Sequence, residues 1–181
     1  NKYEETLLKI VKGNQYFSFF ITDTLLNRYQ EVLTEEGVDK LLVLYRIEEK
    51  YKISPVSQLG IFYYRTGRYN SAAEYLCAVV ITHFTEIINE LMILDPEFEF
   101  TSIEDVLDKM QGKYRIIEYV KDSGLFMNLY YLSNSIYALQ DLRSAENLWQ
   151  IIRKHNEGTW GKRAANQLEK PHLEPLLEEY R

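Results

Sequence analysis

Residues 54–84 read SPVSQLGIFYYRTGRYNSAAEYLCAVVITHF, and their spacing decides the fold class. Pro55 behind Ser54 suits the first turn of a helix, whose missing N–H costs nothing there. The run continues helical to Arg65, and Thr66-Gly67-Arg68 supplies a turn. Beyond it Ala72, Ala73, Leu76, Val79 and Val80 recur on one stripe of a second helix. The stretch therefore predicts two antiparallel helices. Gly60 and Ala72 are small enough to let them approach, while Tyr63 and Leu76 fill the space beside.

Leu59, Gly60 and Tyr63, followed by Ala72 and Leu76, resemble the tetratricopeptide repeat, whose pattern is Leu-Gly-x-x-Tyr, then Ala, then a bulky apolar residue. The stretch departs from that pattern at Val56, where the family has Trp, and at Phe84, where it has Pro. A shift back by 34 residues takes Leu59, Tyr63, Ala72 and Leu76 to Leu25, Tyr29, Val38 and Leu42. A shift forward by 73 takes Leu59, Gly60, Tyr63, Ala72 and Leu76 to Leu132, Ser133, Ile136, Ala145 and Trp149. The resemblance implies an all-α domain over 1–181: an array of antiparallel helical hairpins in a right-handed superhelix of nine or ten helices. Its repeat-like units fall at about 19–52, 53–86 and 126–159. Residues 87–125 form an inserted helical segment or an eroded repeat, of which we favour the insertion. Residues 160–181 form a capping segment in which Ala164, Ala165 and Leu168 cover an apolar face, and Leu176-Leu177 make a last turn against the body.

Working outward, residues 3–12 carry Leu7, Leu8, Ile10 and Val11 at helical spacing and stop before Gly13-Asn14. Residues 16–33 and 38–51 are two further helices. The helix that opens at Tyr69 continues through Leu94, where Asp95-Pro96 ends it. Ser102 and Asp105 have capping-box spacing before a short helix, and Gly112 and Gly124 bracket KYRIIEYVKDS.

Composition limits the function. The 181 residues carry a net charge of −6, and their 21 Lys and Arg are scattered, which excludes a concentrated basic face for nucleic acid. No continuous apolar run nears the roughly 20 residues of a membrane span, so no transmembrane segment is expected. The chain begins at Asn1 instead of Met, as a processed or truncated product would, and the compartment stays open. Cys77 is alone, so no internal disulfide forms, and it is expected in the core.

No Walker loop, dinucleotide fingerprint, Gly-x-Ser-x-Gly elbow or Cys-x-x-Cys pair occurs, so neither an enzyme nor a cofactor is expected. His83, Glu86 and Glu90 share a helix face, a pattern that more often forms a solvated surface than a metal site. The 15 tyrosines point to binding, since Tyr offers large contact area with a polar tip. By the resemblance, the first helix of each pair lines a concave groove. That places Ile61, Tyr64 and Arg65, then Asn134, Tyr137 and Ala138, and upstream Asn27, Gln30 and Glu31 on its wall, with Tyr130 and Phe20 one turn earlier. Tyr63, Tyr29 and Tyr131 are expected to pack between helices. The family's carboxylate clamp implies Lys and Asn; Asn134 has the right type, but Ser57 and Tyr130 stand in the Lys positions. The function expected is a scaffold that binds a peptide or partner helix. The alternative is a small-molecule or lipid carrier whose pocket the 87–125 segment covers. Self-association through an exposed helix face is compatible with either.

Overall fold

The computed structural model describes residues 2–13, 31, 34, 35 and 53–177, and every regular element among them is an α-helix. Packing divides the chain into two compact units, Asn1–Leu59 and Gly60–Arg181. In the first, α1 (Lys2–Gly13) opens with Glu4 and Glu5, which suit the positive end of its dipole. It buries Leu7 and Val11, one turn apart. The upstream repeat-like unit, with Leu25, Tyr29, Val38 and Leu42, lies outside the described residues, as do Phe20, Asn27 and Gln30; Glu31 is exposed.

Residues 53–65 form α2, and the turn after it closes the hairpin by main-chain geometry. Gly67 takes a left-handed φ of 77°, its N–H bonds Tyr64 O at 3.1 Å, and Arg68 N–H bonds Tyr63 O at 2.9 Å. This pair of bonds satisfies carbonyls that a helix end leaves open. Helix α3 (Tyr69–Leu94) then runs back along α2. A Cβ on Gly60 would lie 2.7 Å from Leu76 Cγ, so only glycine lets the two helices approach this closely.

Helix α3 has the bounds expected and, at 26 residues, buries Ala72, Leu76, Val79, Val80, His83, Phe84, Ile87 and Leu91 on one stripe. An 18-residue window within it has a mean hydropathy of 1.5, enough by length and composition to cross a membrane. Counting uninterrupted apolar runs misses this, because Thr82 and His83 break the run without lowering the average much. Its inward stripe instead packs against a later helix, α6. Cys77 is exposed, against expectation. It lies one residue beyond Leu76, a step of about 100° that carries it off the buried stripe.

Two short helices occupy the expected insertion. Helix α4 (Ile103–Lys109) is capped by Ser102, whose hydroxyl accepts from Asp105 N at 3.1 Å; it buries Val106 and Leu107 and packs on α3. Helix α5 (Tyr114–Ser123) buries Ile116 and Val120 and ends at Gly124, whose φ of 70° turns the chain into α6 (Leu125–Ala138). Helix α7 (Leu142–His155) pairs with α6, and α8 (Thr159–Glu169) packs on α7.

The α6–α7 turn repeats the α2–α3 turn at the same offset of 73 residues. Gln140 has a φ of 72°, its N–H bonds Tyr137 O at 2.9 Å, and Asp141 N–H bonds Ile136 O at 3.2 Å. Gly60, Ala72, Ser133 and Ala145 are all buried at helix contacts.

Candidate peptide groove

Past α8, Pro171 cannot continue the helix, and residues 171–177 lie on the second unit as a non-helical strap. Proline also pushes the residue before it toward extended backbone, so Lys170 and Glu174 favour an open chain. Leu176 and Leu177, where a last turn is expected, are non-helical among the described residues, although the segment does lie against the body.

Its anchors are mostly main-chain atoms. The fully buried Gln167 of α8 donates from Nε2 to His172 O at 3.0 Å and accepts His172 N–H on Oε1 at 2.9 Å. The same Nε2 donates to the Tyr130 hydroxyl at 3.2 Å. Glu174 N–H donates to the Tyr64 hydroxyl at 3.3 Å, and Leu177 N–H donates to Arg65 O at 3.1 Å. The Leu176 side chain covers Gly67.

One carboxylate completes the arrangement. Glu174 Oε1 accepts the Tyr130 hydroxyl at 3.0 Å and pairs with the Arg163 guanidinium. Arg163 is stacked, its guanidinium carbon 4.5 Å from the Tyr130 ring centre and 4.9 Å from that of Trp160. Burial works against the Arg163 charge, but the carboxylate more than offsets it and holds the guanidinium above its ordinary range. Burial likewise raises the Tyr64 phenol, which stays a neutral hydroxyl. A cleft of about 430 Å³ beside the strap is lined by Arg65, Tyr130, Arg163, Asn166, His172 and Pro175, among others.

Of the eleven residues expected on the groove wall, three, Tyr64, Arg65 and Tyr130, meet here. Tyr64 and Tyr130 touch Glu174 through their hydroxyls, and Arg65 contributes its carbonyl while its side chain is exposed. Both tyrosines are only 2% exposed, lying beneath the strap and against the rings of Tyr131 and, for Tyr130, Trp160. Asn134 is fully buried behind Tyr64: its amide nitrogen reaches the Tyr64 hydroxyl at 3.4 Å, and its carbonyl accepts Trp149 Nε1 at 2.9 Å. It is thus a core residue and not a clamp on a ligand. Tyr137 is half-buried with its ring 5.6 Å from that of Trp149, and Ile61 is half-buried. Tyr63 and Tyr131 are buried in packing, as expected.

Sequence reasoning missed Arg163, Gln167 and Glu174. The cation beside Tyr130 is Arg163 of α8. A local signal existed for Gln167, which stands in step with Gly161 and Ala164 on the inward face of that helix.

The metal pattern at His83, Glu86 and Glu90 does not converge among the described residues. His83 turns inward, 3% exposed, with Nδ1 3.0 Å from the Tyr119 hydroxyl, and burial lowers its pKa to about 4. The group whose ligand atoms do lie close together is Glu104, Asp108 and His155. Lys154 takes the cation's place there, with Nζ 2.7 Å from Glu104 and 3.2 Å from Asp108. A second cleft, of about 340 Å³, is lined by Leu91, Leu94 and Phe98 together with charged residues that include Asp95, Glu97 and Lys109. Comparison with family models, with curated proteins and with solved structures finds no match to this chain.

Proposed function

We propose that the chain is a non-enzymatic, tetratricopeptide-like interaction module that binds a peptide segment in the groove formed by α2, α6 and α8. One observation carries the reading: a non-helical segment already lies on Tyr64, Arg65 and Tyr130, three of the residues that the resemblance assigns to a groove wall. The groove offers a peptide what peptides have in common. Gln167 can satisfy an N–H and a C=O of one residue, and the planar guanidinium of Arg163 receives a carboxylate directly. The shared 73-residue offset of the two hairpin turns supports the repeat-like architecture.

The test is a display screen of random eight-residue peptides against the full chain carrying Glu174→Ala, which removes the resident carboxylate. Enriched peptides that lose binding when Arg163→Gln is added support the reading. Failure to enrich any peptide refutes it.

A further inference from the structure

The strap sits on the side chains assigned above to a partner, so the chain carries an occupant for its own groove. Resting on that reading, we infer that the groove selects a peptide with a glutamate side chain between two main-chain anchor points, and that residues 171–177 are a resident competitor which such a partner displaces.

The selection follows from where the charge lies. His172 and Leu177 are held through main-chain atoms, which nearly any residue supplies, whereas Glu174 is held through its carboxylate as well as its N–H. Without that carboxylate, Arg163 stays charged between the rings of Tyr130 and Trp160, and the hydroxyl proton of Tyr130 loses its acceptor. An unpaired donor in a half-buried site is costly, so a neutral side chain at this position is discriminated against. The partner is therefore an acidic peptide, with the acid supplied by a glutamate side chain of the right reach.

Displacement follows from how the strap is held. It follows directly on α8, so it is tethered beside the site it occupies, and Leu173 and Pro175 are exposed. A tethered segment acts at an effective concentration on the order of millimolar. A free peptide of the same chemistry then sees only the fraction of chains whose strap is released, and its apparent affinity falls in proportion.

The probe is the fluorescent peptide Pro-His-Leu-Glu-Pro-Leu-Leu, titrated by anisotropy against three full chains: unaltered, Glu174→Ala and Leu177→Pro. The second variant removes the N–H that bonds Arg65 O and leaves Glu174 in place, so it loosens the strap independently. Circular dichroism establishes that each variant retains its helix content, and if Glu174→Ala does not fold, Leu177→Pro carries the test. The expected result is binding about tenfold or more tighter to the variants than to the unaltered chain. The same peptide with glutamine at its glutamate should bind the variants at least about tenfold more weakly. Equal affinity for all three chains overturns the resident competitor and leaves the peptide-binding reading standing; no binding to any of them overturns both.

Discussion

Lowering the pH should destabilise the second unit through His83 within a defined window. The imidazole is 3% exposed, one nitrogen lies 3.0 Å from the Tyr119 hydroxyl, and Nε2 has no hydrogen-bond partner among the described residues. Protonation would place a charge in that buried setting, and burial lowers the pKa from 6.5 to about 4. Between those values the unfolded chain binds a proton that the folded chain does not, so stability rises with pH across the window. The contribution is fully present above pH 6.5, shrinks as pH falls, and is gone once pH passes below about 4. At 1.36 kcal/mol per unit, the whole effect is about 3 kcal/mol. Urea unfolding followed by tryptophan emission is the suitable assay, because both tryptophans, Trp149 and Trp160, lie in this unit. Carboxylates and His155 also titrate, so the quantity to read is the difference between the unaltered chain and His83→Leu. That substitution shifts stability by a constant through the lost Tyr119 contact and removes the slope due to His83. Identical slopes from pH 6.5 to 4 in both proteins would refute the reasoning, as would an NMR titration placing His83 near 6.5.

Two substitutions test the packing. Asn134→Ala strands the Trp149 indole N–H and removes a partner of the Tyr64 hydroxyl, both buried, and should cost about 2–4 kcal/mol in urea unfolding; a loss below about 0.5 kcal/mol would return Asn134 to a groove role. Gly60→Ala sets a helix-propensity gain of about 1 kcal/mol against overpacking of about 1–3 kcal/mol, because the new methyl meets Leu76 Cγ at 2.7 Å and Leu76 N at 3.3 Å. A net loss is expected, partly recovered by adding Leu76→Val; a net gain near 1 kcal/mol would mean that α2 and α3 are not in close contact there.

What could be read from sequence was local. The end of α3 at Asp95-Pro96, the Ser102 cap and the small residues at 60, 72, 133 and 145 each follow from chemistry within a few positions. The 73-residue recurrence was legible too, although Gln140 stands where its counterpart is Gly67. Cys77 was misplaced because neighbouring positions on an apolar helix differ little in composition and greatly in direction. The surroundings of Glu174 were only half legible. Tyr64 and Tyr130 stood out as tyrosines, but Glu174 meets Tyr64 across 110 positions of sequence. No periodicity reports a contact of that range.

The hold of Gln167 on His172 has a consequence for how the chain matures. A side-chain amide can pair with both polar groups of one residue only when α8 fixes its position, so the strap cannot settle until that helix has formed and docked. Residues 171–177 should then lose their amide hydrogens' access to solvent later than α8 does during refolding, and regain it earlier when the molecule breathes.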